Sequence, residues 1–478
     1  MGLNMKEYYA IVIGTGSAMN FVSALPNKNL KIAVVDKDKP GGICLTRGCI
    51  PSKLLLYPAE LVRVIETAGD FGIDVELKNI DFKRVVERMR SKISKEINMI
   101  HEGLSSDPNI DYYQDVAEFV APYTMKVGNE IITSKMIFLC TGSKPLIPQV
   151  KGLNDMGYLT SDTVLKMTDL PESIGIMGGG FIAAEYAHFF STMGSRVTIV
   201  GRNPRFLPNE EPEVSELAKR EMSMHMNILV NHEIIEVQST GGGKKKIIAQ
   251  DRSTGNKIDV VIDKILVAAG RASNTDILHP EKGGIKTDAK GWIVVNEYFE
   301  TSQPNIWAFG DADGKYLFKH VANYESIVVY RNALQNKKFK VDYHAVPYAI
   351  FSHPEISAAG MKEKEAIERY GEDNILIGIY RYQDTAKGDA MEVKDCFVKV
   401  IVEKDTGKIL GAHIIGPQAS ILIQEIVNLM YTPEQSAAPI RQGMHIHPAL
   451  SEVVERAFSS LMPPSHYHHT LKQFQLEN

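Results

Sequence analysis

Short apolar runs closed by glycine recur along the chain. Residues 8–15, YYAIVIGT, have the pattern of a buried strand ending in a glycine turn, and 31–36, KIAVVD, of a second strand ending in an acid. The arrangement returns at 174–200, where SIGIMGGG predicts a strand and turn, FIAAEYAHFFSTMG a helix and SRVTIV the next strand. Gly14 and Gly178 are 164 residues apart, so the pattern predicts two copies of a nucleotide-binding β-α-β unit.

Between the two units, 54–66 and 81–104 carry apolar residues at helical spacing. MIFLCTG (136–142) and KILVAAGR (264–271) are matching strands ending in glycine. GGGKKK (241–246) predicts a hairpin tip in a solvated loop. From about 345 the texture changes: the short strands CFVKVIVE (396–403) and ILGAHIIG (409–416) precede a helix at 419–430. The final stretch, LMPPSHYHHTLKQFQLEN, reads as a tail.

A chain of 478 residues exceeds one ordinary core, so two to four domains are expected. With 44% hydrophobic and 23% charged residues it has the balance of a globular protein. A net charge of −5 without a basic run argues against nucleic acid as a partner. No apolar run reaches bilayer length, so no membrane partner is expected. MGLNMKEYYA lacks a signal-peptide pattern, and Lys6 breaks the myristoylation pattern that Gly2 would begin. Cys44, Cys49, Cys140 and Cys396 are too few for a secreted disulfide framework of this size, and the cytoplasm is the expected compartment.

The first glycine turn is GTGSAM. Gly14 and Gly16 match the dinucleotide fingerprint, but Met19 replaces its third glycine, which serves close helix–strand packing. Asp36, about 20 residues on, ends the second strand where an acid accepts from ribose hydroxyls. In the second turn Gly178, Gly180 and Ala183 fit G-x-G-x-x-A, placing a pyrophosphate on the helix N-terminus.

GGICLTRGCIPSK (41–53) sets Cys44 and Cys49 five residues apart. Two buried thiols are one reading. Half of a metal site is another, but no second Cys/His pair has suitable spacing, so no metal is expected. The third is a redox disulfide, since thiol exchange needs a thiolate and the cations Arg47 and Lys53 lie close in sequence.

The segment resembles the active-site motif of the pyridine nucleotide–disulfide oxidoreductases that carry a CxxxxC redox pair. The resemblance covers nearly the whole chain, with CTGSKPLIP (140–148), GGGFIAAE (178–185), AAGR (268–271), TSQPNIWAFGD (301–311) and HIHPALSE (445–452) in order. It implies an α/β fold: two Rossmann-like dinucleotide-binding domains plus a C-terminal α+β dimerisation domain. The expected division is 1–152 and 272–343 for FAD, 153–271 for NAD(P) and 344–478 for the interface. It implies that Cys49 is the thiolate facing the flavin and Cys44 the thiol that attacks substrate. Lys53 would lie near the flavin, paired with Glu185. Asp311 would bind FAD, with Thr141 and Gly142 nearby. Phe181 would lid the nicotinamide pocket, to which Gly270 would also belong. His447 would be the general base, oriented by Glu452, reaching the partner's cysteines across a homodimer. A carboxylate fixing an imidazole tautomer agrees with that role physically.

Within the family, HIHPALSE resembles dihydrolipoamide dehydrogenases, although Ala449 stands where they usually have Thr. GTGSAMN, FIAAEYAHFFSTMG, YLFKHVANYE and LGAHIIGPQASILIQ resemble mycothione reductases, reductases of low-molecular-weight thiol disulfides. The balance tips slightly to dihydrolipoamide dehydrogenase, which would place the chain with a 2-oxo-acid dehydrogenase complex. A flavin-bearing redox sensor or structural subunit is the alternative of a different class; it needs neither the cysteine pair nor His447 and Glu452. The second unit's last strand ends in Gly201, followed by Arg202, Asn203, Pro204 and Arg205, so the expected cofactors are FAD and NADPH rather than NADH. His445, His466, His468 and His469 read as solvated residues rather than metal ligands.

Overall fold

The computed structural model describes residues 5–22 and 30–474; the readings of Met1 and Gly2, and the end of the tail at 475–478, lie outside them. Five parallel strands make the first sheet, in the order Ile306–Ala308, Ile137–Leu139, Ala10–Ile13, Ile32–Val35, Ile110–Tyr113. Ala10–Ile13 and Ile32–Val35 are buried at every position, as strands covered on both faces must be. Ile306 lies far along the chain from Ile13, so the chain returns to this sheet after building a second one. That second sheet is also parallel, ordered Leu159–Thr160, Lys264–Val267, Ser173–Met177, Arg196–Val200, Asn227–Leu229.

Past residue 345 the pattern becomes antiparallel: Pro347–Ile350, Ile356–Gly360, Ile409–Ile415, Phe397–Glu403 and Ile375–Arg381 form one sheet in that order. The helices Ala419–Met430 and Ser451–Ser459 pack their buried faces into its core. An α/β molecule with two parallel nucleotide-type sheets and a terminal α+β unit is the expected class.

The predicted helices at 54–66 and 81–104 are Cys49–Glu66 and Phe82–Ser106. Two local readings need correction. Gly241–Gly243 do turn a hairpin, but Lys244–Asp251 is already strand, and Lys245 Nζ reaches the carbonyl of Gly157 at 2.5 Å. The tail is in large part a helix, Pro464–Gln473, with Tyr467 and Leu471 buried. Tyr467 donates to Glu213 and lies under the ammonium of Lys399, contacts from distant segments that no local pattern reveals. Two of the histidines read as solvated are also engaged: His468 Nε2 is 2.8 Å from Glu363, and His445 Nε2 is 3.1 Å from Glu425.

Candidate active site at the cysteine pair

The first glycine turn is required by the backbone. Gly14 sits at φ 101, and a Cβ there would stand 2.2 Å from the carbonyl oxygen of Cys140 on the next strand. Gly16 faces Gly42, whose own Cβ would meet Gly16 Cα at 2.6 Å. Met19 is accommodated by a helix start at Met19–Val22, where it packs partly buried against the cluster of Phe21, Phe138 and Trp307. Asp36 Oδ2 accepts from the backbone N of Thr15 at 2.9 Å and from its hydroxyl at 2.5 Å, which pins the second strand's acid to the turn.

One cavity runs from this turn to the cysteines. Gly14, Gly16, Asp36, Cys44, Cys49, Lys53, Thr141, Gly142, Glu185 and Asp311 all line it. A few polar groups in a largely apolar lining fit a dinucleotide: the buried hydroxyl of Thr141 has no hydrogen-bond partner within the described chain, and Asp311 receives a hydrogen bond from Ser143. Burial raises the Asp311 carboxyl above its usual range, against the opposing hydrogen bond of Ser143 and charge of Arg271.

Cys44 lies on the helix Gly42–Arg47, and Cys49 is the first residue of the helix Cys49–Glu66. Both are free thiols; Cys44 is half-buried and Cys49 exposed. Their mutual hydrogen bond pulls Cys49 down to about 7, with a further contribution from Lys53, and pushes Cys44 well up. A helix N-terminus favours the same thiolate. Lys53 stands one turn further on and holds both carboxylate oxygens of Glu185 at 2.8 Å. Arg47 serves differently from the expectation: Asp38 takes its guanidinium at 2.6 Å and Asp162 at 3.2 Å.

A second cavity holds Gly178, Gly180, Phe181, Arg202 and Gly270. Gly178, at φ 132, could carry no Cβ, which would lie 2.1 Å from the carbonyl oxygen of Ala268. Nothing lies within 4 Å of a Cβ on Gly180, so that glycine leaves open space at the start of the helix Phe181–Met193. Ala183 is fully buried behind it. Phe181 lines both cavities and stands between them. Arg205 is exposed and does not line the second cavity, whereas Arg202 does.

His447 Nδ1 lies 2.9 Å from Glu452 Oε1, and Glu452 Oε2 accepts from the backbone N of Ala449 at 3.1 Å. Neither residue lines the cavity of its own chain's cysteines. The His447 side chain is 70% exposed, and its neighbours Met444 and Ile446 are exposed apolar residues.

Thr15, Ser17, Gly42, Arg271 and Lys319 also line the first cavity and were not assigned from the sequence. Arg271 closes the AAGR motif and had a signal there. Lys319, within YLFKHVANYE, had none that a local pattern shows.

Two nucleotide-type cavities that share Phe181, the first of them holding a cysteine pair, define a machine that carries electrons from a nicotinamide to a disulfide. The family model for pyridine nucleotide-disulphide oxidoreductase matches residues 8–335, and the model for the dimerisation domain of the same enzymes matches 346–458. The chain therefore belongs to the pyridine nucleotide-disulphide oxidoreductase family and is an FAD-dependent, NAD(P)H-dependent flavoprotein disulfide reductase. It is 36% identical to the mycothione reductase of Mycobacterium tuberculosis over 96% of this chain and 100% of that one. It is 31% identical to the dihydrolipoyl dehydrogenase of Synechocystis over 95% of this chain and 98% of that one. Among solved structures, the HOCl-induced flavoprotein disulfide reductase RclA from Escherichia coli, in its Cu(II) complex, superposes with a TM-score of 0.84 at 27% identity, covering 95% of this chain and 99% of that one. The dimerisation domain supports a homodimer. No helix among the described residues is long and apolar enough to cross a membrane.

Proposed function

We propose that the chain reduces a low-molecular-weight disulfide with NADPH, using Cys44 and Cys49 as its exchange pair. The observation that carries this reading is the placement of Cys49 at a helix start, its thiol hydrogen-bonded to that of Cys44, one turn before the Lys53 that pairs with Glu185 and inside the cavity of the first glycine turn. In this reading Gly14, Gly16, Asp36, Thr141, Gly142 and Asp311 hold FAD, which supplies two-electron transfer between NAD(P)H and the sulfurs. Gly178, Gly180, Ala183, Phe181, Gly270 and Arg202 serve the nicotinamide nucleotide. Cys44 attacks the substrate disulfide, Cys49 resolves the mixed disulfide, and His447, held by Glu452, moves the proton on the departing thiol. The exposure of His447 away from its own cysteines supports a base that serves the partner's site. The two parallel sheets and the antiparallel unit support a division into 1–152 with 272–343, 153–271 and 344–478.

The missing acid after Val200, with Arg202 at the second cavity, supports NADPH and hence the reductive direction. A second reading, oxidation of a dihydrolipoamide within a 2-oxo-acid dehydrogenase complex, is favoured by HIHPALSE. Steady-state assays with NADPH and NADH against lipoamide, mycothiol disulfide, glutathione disulfide and coenzyme A disulfide decide between them. Turnover of a thiol disulfide with NADPH, far above that of lipoamide with NADH, is expected; the opposite ranking rejects the reading.

A further inference from the structure

The electrostatics around the two sulfurs are asymmetric. Lys53 lowers Cys49, but Glu185 grips its ammonium with both oxygens and the pair is close to neutral. Arg47 is taken up by Asp38 and Asp162. Cys44 lies on the short helix Gly42–Arg47, without the long helix's N-terminus that favours Cys49. The cation whose charge lowers Cys44 is Lys319.

Lys319 lines the same cavity as Cys44 and Cys49, brought there by a segment about 270 residues further along the chain. It opens the helix Lys319–Leu334, whose first turn contains no acid. An ammonium there opposes the positive end of the helix dipole, and half-burial adds to the cost. Among the described residues it makes no salt bridge. Its ammonium donates to Ser17 Oγ at 2.9 Å, and that hydroxyl in turn donates to Asn323 Oδ1 at 3.0 Å. A cation is thus fixed in an unfavourable place, with the two sulfurs as the anions that act back on it.

We infer that Lys319 is a positioning residue for Cys44, its unpaired charge stabilising the thiolate on the sulfur that attacks the substrate. The inference rests on the reading of Cys44 as that sulfur. Reducing the pair consumes the two electrons and one proton-equivalent of a hydride from NAD(P)H: the S–S bond breaks, leaving one thiolate and one thiol. The negative charge must then sit on Cys44 when its sulfur bonds to one substrate sulfur and expels the other as a thiolate. Lys53 favours charge on Cys49; Lys319 provides the opposing pull that lets it pass to Cys44. The other charged groups facing the pair are Lys53 and Glu185, on the helices Cys49–Glu66 and Phe181–Met193.

The test uses FAD-loaded protein carrying Cys49→Ser, so that Cys44 is the remaining sulfur of the pair. Its alkylation by iodoacetamide is followed against pH, with mass spectrometry reporting Cys44. Adding K319M is expected to slow labelling at pH 8 about tenfold and move the midpoint up by about one unit, the equivalence of one pKa unit to a tenfold change. K319R is expected to restore the parent profile. K319Q keeps a donor for Ser17 without the charge and reports the same quantity should K319M fold poorly. Unchanged labelling in the neutral variants overturns the inference, as does a loss that K319R fails to rescue. Disulfide turnover in Cys44→Ser alone separately tests the reading beneath it: retained turnover removes Cys44 as the attacking sulfur.

Discussion

Lys399 Nζ lies 2.6 Å from Glu213 Oε1, and the bond ties the antiparallel C-terminal sheet to the helix Pro212–Ser223 beside the second nucleotide sheet. Glu211 at 2.9 Å and Glu363 at 2.7 Å complete the shell around a fully buried ammonium. Three carboxylates at this depth need the cation more than the cation needs any one of them. Lys399→Met is expected to cost about 3–5 kcal/mol, the usual range for stripping one partner from a buried ionic cluster. Glu213→Gln, which leaves two carboxylates on Lys399, is expected to cost less. Denaturant midpoints of the two variants check the order, and a near-neutral Lys399→Met contradicts it.

The thiol hydrogen bond from Cys44 is the largest cause of the lowered Cys49 thiol. Alkylation of Cys49 in the reduced enzyme is therefore expected to rise with a midpoint near pH 7. In Cys44→Ala, which removes the donor, the midpoint should move up while disulfide turnover disappears. A Cys49 midpoint that stays put in Cys44→Ala would show that Lys53 and the helix start suffice.

Arg202 lines the second cavity and Arg205 does not. Arg202→Ala is expected to raise the KM for NADPH about tenfold, the equivalent of ~1.4 kcal/mol, and to leave that for NADH nearly unchanged. Arg205→Ala should do much less. Equal losses with both cofactors would place Arg202 outside the recognition of a 2′-phosphate.

His447 should act on the partner's cysteines. Co-expressed Cys49→Ser and His447→Ala subunits give a heterodimer with one doubly damaged site and one intact site. Purified heterodimer is expected to regain activity well above either parent homodimer. A heterodimer as inactive as its parents would return His447 to its own chain.

His188 and His353 stack at 5.9 Å, and burial lowers them to about 3 and about 4, with Arg63 and His225 adding to the effect and Glu66 opposing it at His353. A depressed histidine is neutral in the folded state while the unfolded chain takes up protons from about 6.5 downward. Stability should therefore be full above pH 6.5 and fall as pH drops towards 4. His188→Gln is expected to flatten that fall in thermal unfolding between pH 7 and 5. An equal slope in the variant would trace the loss to other groups.

The glycine turns, the strand acid Asp36 and the cysteine spacing were legible because each is a local requirement of backbone or sulfur chemistry. Gly14 and Gly178 could be nothing else. The C-terminal helix was not legible, since Tyr467 and His468 owe their environment to Glu213 and Glu363, more than 100 residues away. Lys319 escaped for the same reason: its meaning lies in which cavity it faces. Arg47 shows the converse, a cation beside the cysteines in sequence whose charge is held by Asp38 and Asp162.

The helix Cys49–Glu66 carries sulfur at its first residue and the ammonium of Lys53 a single turn later. Backbone hydrogen bonds, rather than the docking of one domain on another, set the spacing between them. The acid that grips this ammonium, Glu185, sits on the helix that Phe181 begins, so a shift of that helix reaches the charge beside Cys49. Sulfur and cation ride on one rod and the acid that tempers the cation on another, so substitutions that loosen the helix Phe181–Met193 should retune the sulfur as well.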